Sequence, residues 1–207
     1  LEELGYTAAS GQEEADIIVF NTCCIRENAE NHAFGNIGAL KKLKKQKREL
    51  MIAVGGCMAQ EEGKAKLLLE KFPFVDVVFG THNSGALKEL IMRRKKGKRL
   101  MEILPERKEV EDGLLPVRKS YPNAWVNISY GCNNFCSYCI VPYVRGRECS
   151  REAGAVLKEV ESLLEAGYRE ITLLGQNVNS YNNDGRGGMS FASLLKKAAS
   201  FGGKYRL

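Results

Sequence analysis

Three short apolar runs, ADIIVF (15–20), LMIAVGG (50–56) and VDVVFG (75–80), punctuate the first half of the chain. Each is rich in β-branched residues, lacks polar alternation and is too short for a buried helix, which is the pattern of a strand covered on both faces. Between them the apolar period changes to that of a helix. Ala29, Phe34, Ile37, Leu40 and Leu43 line one side of a segment from about Glu27 to Lys47, MAQEEGKAKLLLEKF reads as a second helix, and Gly85 to about Lys96 as a third. Strand and helix in alternation, with short connections, constrain this half to a parallel sheet with helices packed on its faces. Functional groups of such sheets collect in loops at the carboxyl ends of strands. Cys23 and Cys57 both fall there, after two different strands.

A second α/β segment follows. AWVNIS (124–129) is a strand, SREAGAVLKEVESLLEAG (150–167) a helix with Ser150 as its expected N-cap and Gly167 beyond its end, and EITLLG (170–175) another strand. A long polar loop, QNVNSYNNDGRGG, leads to a last helix, SFASLLKKAAS. Two βα units of this kind begin a barrel or open sheet without completing it. Residues 98–122 carry mixed charge and prolines and read as a linker, giving domains at 1–97 and 123–207.

No apolar run approaches the roughly 20 residues that a membrane helix requires. The chain opens on LEELGYTAAS, without the basic and apolar regions of an export signal, and stops at FGGKYRL without a cap or turn. The expectation is a piece cut at both ends, from a cytoplasmic protein. A net charge of +6 is concentrated in KKLKKQKR (41–48) and RRKKGKR (93–99). Such runs are most often solvated helix faces, but two of them on a basic chain also suit a polyanion, nucleic acid first.

Seven cysteines in a reducing compartment point to metal or catalysis more than to disulfides. Cys132, Cys136 and Cys139 stand as CxxxCxxC in GCNNFCSYC, with no fourth cysteine at ligand spacing. A structural zinc site needs four ligands, and His32 and His82 are both distant in sequence. A ferredoxin loop wants a fourth cysteine followed by proline, whereas here Pro142 follows Val141. An apolar core could gather three cysteines by chance, though not beside Asn133, Asn134 and Ser137. Three thiolates on a 4Fe-4S cluster leave one iron open to an outside molecule, and this reading stands ahead of the others.

The spacing of this loop, with Tyr138 before the last cysteine, resembles that of radical S-adenosylmethionine (SAM) enzymes. NTCCIRENAE (21–30), GGCMAQ (55–60), VFGTHN (78–83), YGCNNFCSYCIVPYVRGRE (130–148) and TLLGQNVNSY (172–181) resemble, in that order, the methylthiotransferase family, in the MiaB-type branch that modifies dimethylallyladenosine in tRNA. The resemblance implies a flavodoxin-like parallel-sheet domain lacking its start, then the first βα units of a partial TIM barrel, with a C-terminal TRAM-type RNA-binding domain absent. It implies that Cys132, Cys136 and Cys139 hold a SAM-binding 4Fe-4S cluster. Tyr138 would lie beside the adenine of SAM, and Gly175, Gln176 and Asn177 would reach the cofactor from the second strand. Cys23 and Cys57 would hold two of the three ligand positions of an auxiliary 4Fe-4S cluster. The third would come from an upstream motif. Cys24 reads as a small buried hydrophobe or bystander, since adjacent side chains of an extended loop diverge, and Cys149 as an incidental surface thiol. Arg145, Arg147 and Arg151 could meet phosphate or a cofactor carboxylate, or equally pair with Glu148 and Glu152.

The implied reaction is methylthiolation of carbon 2 of the adenine, with SAM as radical source and methyl donor. The implied partners are a tRNA anticodon loop and an electron donor such as flavodoxin or ferredoxin; the protein would be a monomer without membrane contact, and this piece alone would not turn over. Sibling enzymes acting on threonylcarbamoyladenosine or on a ribosomal protein, an iron–sulfur electron carrier, and a zinc-stabilised nucleic-acid module are the competing readings.

Overall fold

The computed structural model describes residues 1–95, 98–106, 118 and 120–207. It divides into two compact units, Leu1–Lys108 with Tyr143–Arg145, and Glu109–Pro142 with Gly146–Leu207.

In the first unit β1 (Ile17–Thr22), β2 (Met51–Gly56), β3 (Val77–Phe79) and β4 (Leu100–Glu102) form one parallel sheet in that order. β2 is buried along its whole length. Its side chains alternate between two cores, as the period of a strand requires. Ile52 and Val54 join the core built with Ile37 and Leu40 of α1 (Glu27–Gln46). Met51 and Ala53 join the other, with Leu90 and Ile91 of α4 (Leu87–Lys95). Each such side chain contributes about 1.5–3 kcal/mol by leaving water. Both faces are therefore covered, which is why the runs read as continuous apolar stretches.

Three expectations are corrected here. Residues 58–72 form not one helix but two, α2 (Cys57–Gln60) and α3 (Lys64–Lys71), because Gly63 adopts a left-handed conformation between them. The segment from Thr81 to Ala86 is a 3-10 turn before α4 begins. The stretch read as a linker holds β4, whose Leu100 packs on one core while Ile103, just beyond it, packs on the other. Residues 107–117 and 119 of that stretch lie outside the described residues.

Asp76, at the start of β3, is 3% exposed and fully engaged. Its carboxylate accepts from Ile52 N at 2.9 Å, Lys44 Nζ at 2.8 Å and Arg94 Nη2 at 2.6 Å. A buried carboxylate between two cations and a backbone donor ties α1, β2 and α4 together.

In the second unit β5 (Asn123–Asn127) and β8 (Glu170–Leu174) pair in parallel, Asn123 opposite Glu170 through Asn127 opposite Leu174. Two-residue strands β6 (Ser129–Tyr130) and β7 (Cys149–Ser150) pair antiparallel and were not expected from sequence. The short α5 (Val141–Val144) lies between them in the chain. α6 (Ala153–Glu165) buries Ala153, Val156, Val160 and Leu163 against Val126 and Ile171, and α7 (Phe191–Ala198) adds Leu194. Ser150 does not cap α6. It is drawn into β7, its N–H donates to Asp184 at 2.8 Å, and Glu152 caps instead by accepting from Ala155 N. Gly167 does take the left-handed conformation expected just beyond the helix.

Candidate functional site

The cysteine loop of the second unit leaves β6 and returns as β7. Gly131 turns the chain into it with φ +67°, and a Cβ there would collide with the carbonyl oxygen of Arg147. Two hydrogen bonds close the base: Cys132 N donates to Gly146 O at 3.1 Å, and Glu148 N donates to Asn133 Oδ1 at 3.0 Å. A turn in which Cys139 N donates to Cys136 O at 2.9 Å sets the last two cysteines. The base is thus fixed and the tip is open. Cys136 is exposed, Tyr138 is 90% exposed, and Phe135 holds a left-handed φ of 45° with the Arg147 guanidinium over its ring at 5.6 Å.

All three thiols are free. Among the described residues no three His, Cys, Asp or Glu are placed to hold a metal ion together, so the loop supplies the donors without gathering them at one point. The donor set itself fits an iron–sulfur cluster: three unpaired thiols on one loop, anchored at its base, after a strand.

β8 ends beside this loop's anchoring strand. A side chain at Gly175 would put its Cβ 2.6 Å from Ser129 Oγ, so the backbone approaches closely there. Gln176 is exposed, and Asn177 opens a 3-10 turn, Val178–Ser180, accepting at its carbonyl from Ser180 Oγ at 2.8 Å. In the sequence Glu148 stands only as a possible partner of the nearby arginines. Its Oε2 accepts from Ser180 Oγ at 2.6 Å, which ties the cysteine loop to the turn after β8.

The arginines part company. Arg151 is buried, donating to Glu159 Oε2 at 2.8 Å and to Asn127 O at 2.7 Å, and Arg118 also pairs with Glu159. Neither Glu148 nor Glu152 is its partner, and it serves the frame. Arg147 stays exposed at the loop. Arg145 belongs to the first unit.

In that unit Thr22 lies opposite Gly56, so Cys23 and Cys57 leave adjacent strand ends, as expected. Gly56 has φ +96°, and a Cβ on it would strike Thr22 O. Cys57 is 5% exposed. Its sulfur accepts from Arg145 Nε at 3.4 Å and from the thiol of Cys24, not Cys23. The bond from Cys24 is the largest cause that brings the Cys57 thiol down to about 6; burial opposes it, and Arg145 adds to the lowering. The same bond, then burial, pushes Cys24 up. Cys24 also packs on the core beneath, as expected of a small hydrophobe. Cys149 is not the surface thiol expected: it is buried in β7, where pairing with Tyr130 turns it inward, and it accepts from Arg186 Nη1 at 3.2 Å.

Residues 1–80 match the model of protein family UPF0004, and residues 126–201 that of the radical SAM superfamily. A tRNA-2-methylthio-N(6)-dimethylallyladenosine synthase of Clostridium tetani is 54% identical over 95% of this chain and 44% of its own length. Its counterpart in Clostridium perfringens is 51% identical over 100% and 46%, and that of Desulforamulus reducens 50% identical over 94% and 43%. The chain therefore spans about half the length of the curated relatives it matches. Among solved structures, the radical S-adenosylmethionine methyltransferase TsrM of Kitasatospora setae, with cobalamin and a [4Fe-4S] cluster bound, aligns with a TM-score of 0.61 at 16% identity, over 87% of this chain and 40% of that one. That likeness is one of fold. The chain is thus similar to the radical SAM superfamily through residues 126–201, to family UPF0004 through residues 1–80, and across both to the tRNA-2-methylthio-N(6)-dimethylallyladenosine synthases.

Proposed function

We propose that the whole protein of which this chain is part methylthiolates carbon 2 of dimethylallyladenosine in a tRNA anticodon loop. The observation that carries the reading is the loop of Cys132, Cys136 and Cys139, three free thiols on an anchored base with no fourth cysteine at ligand spacing in the sequence. These three would hold a 4Fe-4S cluster, and Cys23 and Cys57 would supply two ligands to a second. When bound, the first cluster and SAM supply the radical, and the second supplies the sulfur that is methylated and inserted.

The chain's own residues have defined tasks in this scheme. Gly131, Gly146 and Glu148 fix the base of the loop that carries the thiols. Tyr138, standing free at the tip, offers a flat face to an adenine. Gly175, Gln176 and Asn177 close the strand end over which the cofactor would lie. Arg145, against Cys57, favours the thiolate that metal binding requires. The tRNA, an electron donor such as flavodoxin or ferredoxin, a monomeric state and a cytoplasmic location complete the proposal. It is compatible with the absence, among the described residues, of any helix long and apolar enough to cross a membrane.

The decisive experiment is anaerobic reconstitution with iron and sulfide, followed by electron paramagnetic resonance with and without SAM. A 4Fe-4S signal that shifts on adding SAM is expected. A cluster indifferent to SAM makes the protein an electron carrier instead. In the full-length protein, Cys136→Ala is expected to abolish reductive cleavage of SAM. Cys57→Ser should leave cleavage intact and stop methylthiolation; product formed at the wild-type rate removes Cys57 from its role.

A further inference from the structure

Two oxygen atoms in the second unit are buried with no hydrogen-bond partner: Ser129 Oγ and Glu148 Oε1. Ser129 is 5% exposed. Buried polar atoms are paired in the great majority of cases, and an orphaned one costs the desolvation of that group without return. Here two of them border the same turn. Ser129 Oγ sits 2.6 Å from where a Cβ on Gly175 would be, and Glu148 is held at the other end of the turn through Ser180 Oγ on its second oxygen. The neighbouring polar groups are already engaged: Ser180 Oγ with Glu148 and Asn177 O, and Ser150 Oγ with Asn182 N at 2.9 Å. Rearranging the turn to satisfy the orphans would break those bonds.

The chemistry of the pair limits what can satisfy it. A carboxylate oxygen only accepts, so the missing partner of Glu148 must bring an N–H or O–H donor; a serine hydroxyl can meet either kind of group. Gly175, bare of side chain, lets the strand end lie close against Ser129, so that hydroxyl and the end of β8 border one spot. Glu148 also holds Asn133 of the cysteine loop through its backbone N–H, so a ligand that engages its carboxylate is registered against the cysteines.

We propose that Glu148 Oε1 and Ser129 Oγ are ligand-facing groups that receive the donors of S-adenosylmethionine, its ammonium or its ribose hydroxyls. The proposal rests on the function given above and assigns two binding residues to its cofactor. The carboxylate contact is charge-assisted and is the stronger of the two.

The test measures equilibrium binding of S-adenosylhomocysteine and of 5′-methylthioadenosine to the full-length protein, on preparations matched for iron content. Glu148→Gln, which keeps the size of the side chain and an oxygen for Ser180, should weaken S-adenosylhomocysteine by about tenfold. Ser129→Ala should weaken it less while leaving the melting temperature unchanged or raised, because it deletes an unsatisfied hydroxyl; a merely structural serine would lower the melting temperature and leave affinity alone. A Glu148→Gln loss shared by 5′-methylthioadenosine assigns the ribose, and a loss confined to S-adenosylhomocysteine assigns the ammonium. Both variants binding like wild type overturns the inference. Wild-type protein that binds neither ligand overturns the function on which it rests.

Discussion

Two glycines carry a burden that their neighbours make visible. Gly56 and Gly131 each immediately precede a cysteine, Cys57 and Cys132, each has a positive φ, and each lies so close to a carbonyl oxygen that no Cβ fits. A left-handed backbone costs a residue with a Cβ about 1–2 kcal/mol before any collision is counted. Gly131→Ala is therefore expected to lower the melting temperature and to reduce iron retention after reconstitution, although no thiol is touched. Full iron content at wild-type stability would show that the loop tolerates a different entry. The cysteines of this loop stood out in the sequence because their spacing alone marks a ligand set. The role of Glu148 was not legible, because its partner Ser180 lies 32 positions away and the sequence offered only the neighbouring arginines. Cys24 was legible as a small hydrophobe packed on the core, but its influence on the Cys57 thiol was not, because it depends on the adjacency of two strand ends.

At the scale of elements, long apolar patterns were readable and short ones were not. α1 falls at Glu27–Gln46 against an expected Glu27–Lys47, since its core-facing residues recur over five turns. β4, β6 and β7 have two or three residues each, too few for a period, and exist through ladders to partners that the sequence does not name. The start of α6 shows the same competition. A serine is a good cap, but Ser150 is claimed by β7 and the task passes to Glu152. Hydrogen bonds from Gly154 N and then Ala155 N hold the Glu152 carboxyl below the usual range. Because the folded value is depressed, the cap's contribution is complete above the unfolded value of about 4.3 and is lost as pH falls through the folded one. Glu152→Ala should cost about 0.5 kcal/mol at neutral pH, the low end for a solvent-exposed cap. In thermal melts the gap between variant and wild type should close as the pH is taken below the carboxylate range. A gap independent of pH would mean that the carboxylate is not what caps the helix.

For the molecule as a whole, the question left by the sequence is what its positive charge is for. Much of it is structural. Lys44 and Arg94 neutralise Asp76, Lys47 binds Asp16 and the carbonyl of Ala15, and Arg99 binds the carbonyls of Val75, Leu69 and Phe72. What stays outward in the first basic run is Lys41, Lys42, Lys45 and Arg48 on and just beyond the last turns of α1. The two groups should separate by experiment. Lys44→Ala is expected to lower stability, because it strips a buried carboxylate of one cation. The quadruple change of Lys41, Lys42, Lys45 and Arg48 to Gln should leave the melting temperature in place and weaken binding of an anticodon stem–loop RNA by the full-length protein. The loss should be larger at 50 mM than at 200 mM salt. A plot of log affinity against log salt should also become shallower, by about 0.7–0.9 for each phosphate contact removed. An unchanged slope would place the RNA contact elsewhere and return this run to the role of a solvated helix end.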